Sequence, residues 1–163
     1  MTRDEILQKI EKAVLSCKKC RLYKTANHAV PGEGNPQAKI VFIGEAPGFN
    51  EDAQGRPFVG RAGALLDELL KLIGLKRADV WIGNIIKHRP PENRDPMVDE
   101  LRACSPFLVD QIKAIKPKLL ITLGRFAMAA YLPDGKISDL HGRAFRVGEL
   151  VIFPLYHPAA ALR

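Results

Sequence analysis

Four apolar runs, residues 39–43, 79–86, 118–123 and 150–155, recur along this chain with helix-like stretches between them. Each is short and rich in Ile, Val and Leu, as buried strands are, and the intervening stretches carry apolar residues at helical spacing. Strands separated by helices imply a mainly parallel sheet covered on both faces, because each parallel connection must cross over the sheet. The expected fold class is α/β, a three-layer α/β/α sandwich with a central, mainly parallel four-stranded sheet. With 163 residues, 47% of them hydrophobic, the chain is expected to form a single domain over residues 1–163.

The helical stretches have readable ends. Residues 4–15 place Ile6, Ile10, Ala13 and Val14 on one face. Residues 60–73 carry Leu65, Leu66, Leu69, Leu70 and Ile73 as an expected buried face, with Gly74 as a stop. Asp95-Pro96 reads as an N-cap followed by an N1 proline, opening a helix that Ser105-Pro106 should interrupt and Pro117 should end. A short helix over 124–131 and a loop or hairpin over 136–148 complete the pattern.

In sheets of this kind ligands bind beyond the carboxyl ends of the strands. The first run breaks there into Gly44-Glu45-Ala46-Pro47-Gly48-Phe49-Asn50-Glu51-Asp52, where glycines allow close approach and three carboxylates gather. Read alone, this is an acidic turn. The second run ends in Asn84-Ile85-Ile86-Lys87-His88-Arg89-Pro90-Pro91, the third at Gly124-Arg125 and the fourth in Tyr156-His157-Pro158-Ala159-Ala160-Ala161-Leu162. Topology alone therefore collects these residues on one edge. A net charge of +7 fits a polyanionic partner and equally a plain basic protein. Met1-Thr2-Arg3-Asp4-Glu5 opens the chain with neither a signal nor a membrane span, so a cytoplasmic protein is expected. Its three cysteines then do not form a disulfide framework. Cys17-Lys18-Lys19-Cys20 has metal-ligand spacing, and its basic neighbours should favour thiolate, although a redox dithiol or two plain thiols also satisfy the pattern.

Together with Gly55-Arg56-Pro57-Phe58-Val59-Gly60, these motifs resemble, in order and approximate spacing, the family 4 uracil-DNA glycosylases, thermostable-type enzymes carrying a [4Fe-4S] cluster. The match runs from about Cys17 to Leu162. The resemblance implies a uracil-DNA glycosylase-like fold and a monofunctional enzyme. Such an enzyme flips deoxyuridine out of DNA, hydrolyses its N-glycosidic bond, releases uracil and leaves an abasic site for base excision repair. A second class also fits: a metal-stabilised nucleic-acid-binding module with impaired catalysis, motivated by a departure at His88 and by the chain ending at Arg163, where the family usually continues into a further helix.

The resemblance also implies roles. Phe58 stacks on the flipped base, Asn84 reads the N3–H and O4 edge of uracil, and His157 donates to O2 as negative charge develops. The backbone of Glu45 and Ala46 supplies further hydrogen bonds. Where the best-known uracil-DNA glycosylases have a water-activating aspartate and a methyl-excluding tyrosine, this chain has Ala46 and Gly48. Catalysis is then expected to lean on leaving-group stabilisation, with Glu45 or Glu51 holding water or offsetting the sugar's charge and Glu51 screening against the thymine methyl. The implied cluster ligands are Cys17, Cys20, His88 and Cys104, His88 standing where the family usually has cysteine, with structural zinc as the alternative. Leu162 and Arg163 match the wedge that fills the gap in DNA. Arg56, Lys87, Arg89, Arg94, Arg125, Arg143 and Arg163 are candidate phosphate contacts for a monomer acting on uracil-containing DNA.

Overall fold

Short apolar runs become the core of one sheet in the computed structural model, which describes residues 1–162. In chain order the elements are α1 (Arg3–Leu15), β1 (Glu33–Gly34), β2 (Ile40–Gly44), α2 (Phe49–Gln54), α3 (Arg61–Leu72), β3 (Trp81–Asn84), α4 (Val98–Ile115), β4 (Leu119–Leu123), α5 (Arg125–Ala129), α6 (Ile137–Leu140), β5 (Phe145–Val147) and β6 (Leu150–Leu155). A 3-10 turn, Pro158–Leu162, follows β6.

The sheet has six strands in the order β1-β3-β2-β4-β6-β5 rather than the four expected. Its four central strands are parallel, as predicted, and the two additional edges, β1 and β5, pair antiparallel. Both edges are too short to stand out in the sequence. β5 arises from the 136–148 segment, where Gly148 turns the chain back into β6 with a φ of 62°.

Side chains alternate across the sheet with period two. Val41, Ile43, Trp81 and Leu120 join one core with α1 and α4 residues. Phe42, Ile82, Ile121 and Leu123 face the opposite core with Leu66 and Leu70 of α3. The chain passes from β2 to β3 on one side and then to β4 on the other, which makes the carboxyl end of β2 the topological switch point.

Two helices differ from expectation. α4 runs unbroken through Pro106, at the cost of the backbone bond that residue 106 would have donated to the exposed Arg102. Its N-cap is Met97 rather than Asp95, because the Glu100 carboxylate accepts the Met97 N–H at 2.8 Å. On α3 only the stripe facing the sheet is covered. Leu66 and Leu70 are buried, whereas Leu69 and Ile73 are 46% and 63% exposed and border an apolar groove beside Phe153, Leu155 and Pro158. The apolar stripe of α3 is wider than the sheet beneath it. No helix among the described residues is long and apolar enough to cross a membrane.

Candidate active site

Parallel pairing sets Gly44, the last residue of β2, directly beside Asn84, the last residue of β3. The ladder continues past both strands, with Ile85 N–H donating to Gly44 O and Ile86 N–H to Glu45 O, each at 3.0 Å. A Cβ at Gly44 would lie 2.5 Å from both Asn84 Oδ1 and the Phe58 ring, so this glycine makes room for those two side chains. Ala46, Glu51, Phe58, Ala62, Asn84 and His157 surround a cavity of about 40 Å³ here. That volume holds a few water molecules and is smaller than a pyrimidine. The Phe58 and His157 rings, stacked with centroids 5.6 Å apart, must part to admit a base.

Each wall of the cavity is held by the backbone. Phe58 sits in the left-handed region at φ 50°, a strained conformation for an aromatic residue. Arg77 secures it by donating to Phe58 O at 3.1 Å and to Pro57 O at 2.7 Å. Gly63 allows this arrangement, since a Cβ there would lie 1.9 Å from Phe58 O. The Glu51 carboxylate accepts from the N–H groups of Gly48, Val59 and Gly60 at 3.0, 2.9 and 2.9 Å, pinning the α2 start to the Phe58 loop.

His157 is placed with its chemistry defined. Its Nδ1 accepts the Ala159 N–H at 3.1 Å, so in the neutral ring the proton resides on Nε2, which becomes a donor. Asn84 is the complementary group. It is 2% exposed, and its Oδ1 is a buried acceptor with no hydrogen-bond partner among the described residues. An orphaned buried acceptor on a cavity wall is costly unless something enters to satisfy it. Glu45 does not line the cavity; its carbonyl extends the ladder beside it.

Arg77, Gly63 and Gln111 were not singled out from the sequence, although all three support this edge. None of the three residue types carries a local signal, and the partners lie 20 residues from Arg77 and 80 from Gln111.

The cysteines gather on the opposite core. Cys17 and Cys20 pack against the cluster that contains buried Cys104, and all three are free thiols. Burial pushes the Cys104 thiol up to about 11 and raises Cys20 as well. For Cys20 this reverses the expectation that neighbouring basic residues favour thiolate. Lys18 and Lys19 instead lie over the rings of Tyr23 and Phe107. His88 is buried, and desolvation lowers the basicity of its imidazole. Its ring has no hydrogen bond among the described residues, and a neutral imidazole of this kind suits metal ligation. Among those residues no three His, Cys, Asp or Glu side chains are arranged to hold a single metal ion.

A model of the uracil DNA glycosylase superfamily matches residues 31–163. Curated relatives agree over nearly the whole chain. A type-4 uracil-DNA glycosylase of Sulfurisphaera tokodaii is 49% identical, the match covering 96% of this chain and 76% of the relative. The type-4 enzymes of Archaeoglobus fulgidus and Thermotoga maritima are 47% and 42% identical, covering 97% and 99% of this chain and 84% and 86% of theirs. The chain belongs to the type-4 uracil-DNA glycosylases.

In this member of the type-4 family most of the basic residues expected to touch phosphates already have partners. Lys87 is completely buried and cannot meet DNA, which corrects that expectation. Arg56 bonds Glu33 through two nitrogens at 2.8 Å, and Arg94 grips Glu100 in the same way. Arg125 pairs with Asp95, and Arg89 donates to Asn93 at 2.7 Å. Arg143 lies over Phe145. Leu162 is 36% exposed in the turn after β6, while Arg163 lies outside the described residues.

Proposed function

We propose that this type-4 family member is a monofunctional uracil-DNA glycosylase, acting as a monomeric, single-domain cytoplasmic protein on uracil-containing DNA. The observation that carries the reading is the orphaned Asn84 Oδ1 on the cavity wall between Phe58 and His157. Uracil offers a donor at N3 and an acceptor at O4, matching the carbonyl and amide groups of Asn84, whereas cytosine offers the reverse pattern. A base that fills the cavity satisfies the orphan.

The reaction follows from the walls. Phe58, fixed by its backbone, offers a face for stacking once His157 moves aside. As the bond from C1′ to N1 breaks, its electron pair leaves on the base and spreads toward O2. The Nε2–H of His157 donates to that oxygen, an interaction that strengthens as charge develops. Water then bonds to C1′, and its proton balances the uracil anion. Glu51 has three of its acceptor sites engaged and serves as a rigid wall against the thymine methyl. Glu45, the residue after β2, is the carboxylate assigned to hold water or offset positive charge on the sugar. Leu162 fills the space left by the flipped nucleotide, and backbone amides with the exposed arginines track phosphates.

Cys17, Cys20, Cys104 and His88 would hold a [4Fe-4S] cluster. Three thiols that share one core region and the buried imidazole of His88 make up a Cys3His donor set, which suits a cluster and, as the alternative, structural zinc. When bound, the group crosslinks α1, α4 and the loop after β3. The alternative, a binding module without catalysis, has less support because the pocket residues are intact.

The test is release of uracil from an oligonucleotide containing one uracil, with thymine and cytosine oligonucleotides as controls. Release of uracil alone is expected, and it should weaken with salt as phosphate contacts are lost. Tight binding of the uracil strand without release would establish the binding module instead.

A further inference from the structure

Phe49 opens α2 and is 66% exposed, more than any other aromatic residue described. A lone exposed phenylalanine is ordinary. This one lies against a cation, the guanidinium carbon of Arg89 standing 5.4 Å from the centre of its ring. Among the arginines expected at this edge, Arg56, Arg94 and Arg125 are each paired with a carboxylate. Arg89 is paired with none among the described residues; its Nε donates to the neutral side chain of Asn93 at 2.7 Å. Glu92 and Asn93 hold that turn in the left-handed region, at φ 54° and 57°, a strained backbone for residues other than glycine. An unneutralised guanidinium is thus fixed beside an exposed ring, a combination that suits single-stranded nucleic acid.

The pair adjoins the base cavity. Phe49 follows Gly48, whose N–H donates to Glu51 Oε1 at 3.0 Å, and it precedes Glu51 by two residues, about 3 Å of helix rise. Glu51 lines the cavity. A Cβ at Gly48 would lie 4.0 Å from Asn93 Oδ1, so the turn that fixes Arg89 closes on the same place. Successive nucleotides of a stacked strand are about 3.4 Å apart. The neighbour of a base in the cavity falls within the span of a phenylalanine side chain.

We propose that Phe49, backed by Arg89, is a stacking platform for an unpaired base next to the flipped uracil. The proposal rests on the glycosylase reading. In duplex DNA the neighbouring base is paired and stacked, with its faces covered, so the platform serves single-stranded DNA. Stacking tolerates any sequence, because every base has a π-face. Arg89 adds a charge that attracts the strand. Phe49 takes no part in bond cleavage; it raises affinity for the strand and leaves the rate of the bound complex unchanged.

Because Phe49 is exposed, its replacement leaves the core intact. Affinity is measured for the parent chain, Phe49→Ala, Phe49→Leu and Phe49→Trp, using strands with one 2′-fluoro-deoxyuridine, whose fluorine disfavours positive charge at C1′ and keeps the bond uncut. One single strand has thymine on both sides of that nucleotide. Another has abasic sites on both sides, which keep the phosphates and remove the stacking partner; a duplex is the third probe. Phe49→Ala and Phe49→Leu should bind the thymine-flanked strand about fivefold or more weakly, and Phe49→Trp should bind it as the parent does. No loss is expected with abasic flanks or with the duplex. Equal losses on the two single strands, or no loss on either, would overturn the proposal, as would full affinity in Phe49→Leu.

Single-turnover release from the ordinary deoxyuridine strand, at saturating protein, is read alongside. Phe49→Ala should match the parent, and a slower release would overturn the proposal by placing Phe49 in the chemistry. A parent chain that binds these strands and releases no uracil would overturn the glycosylase reading, while the affinity series still decides the platform.

Discussion

The base pocket and the cysteine corner lie on opposite faces of the same strand ends, and they are built by different means. Pocket walls are set by backbone hydrogen bonds: three to Glu51, two from Arg77 and one to His157 Nδ1. Those bonds exist before any ligand arrives. In the corner, Cys17, Cys20 and Cys104 share an apolar environment that raises Cys20 and Cys104, so the thiols there must lose protons when a metal binds. One region has its loops held in advance, with the stacked Phe58 and His157 rings left to part, and the other would be completed by a bound metal. Loops held in advance suit catalysis, because they limit the reorganisation left when charge develops.

The largest expected effect tests the pocket alone. His157→Ala should reduce uracil release by about 10²- to 10³-fold, as loss of one oxyanion-type donor does, while metal content and DNA affinity stay near the parent values. Unchanged release would remove His157 from the chemistry.

Gly63→Ala comes next. A methyl group 1.9 Å from Phe58 O must displace the strained loop, so release should fall by about tenfold or more with a modest drop in melting temperature. Normal kinetics would mean that the loop does not need this geometry.

Cys104→Ser probes the other region. It should lower iron content and reduce the melting temperature by about 5 °C or more, while the protein that remains folded keeps most of its release rate per molecule. A complete loss of rate in folded protein would show that the two regions are not separable.

The smallest effect is electrostatic. The Glu100 carboxyl is held below its ordinary value by Arg94, against the opposing effect of burial. Its folded value lies below its unfolded one, so its contribution is present above the ordinary carboxylate range and is lost as pH falls through the folded value. Glu100→Gln should flatten the acid limb of melting temperature against pH between about 5 and 3. An unaltered limb would assign that dependence to other carboxylates.

Periodicity and topology made much of this legible from the chain alone. Four apolar runs with helical stretches between them were enough to imply a parallel sheet, and the carboxyl ends of its strands were enough to collect Ala46, Asn84 and His157. Composition could not separate a parallel centre from its short antiparallel edges, because two or three residues carry no period. Nor could it tell which charges are exposed. Lys87 reads as one more surface lysine in the sequence, and only the packing of Trp81, Gln111 and Pro31 around it buries it. The same holds for Arg77 and Gly63, whose roles exist only once Phe58 is folded against them. Residue types and local spacing depend on neighbours in the chain, so the sequence itself determines them. Burial, pairing and strain depend on groups distant in the chain and near in space, and the tertiary structure decides those.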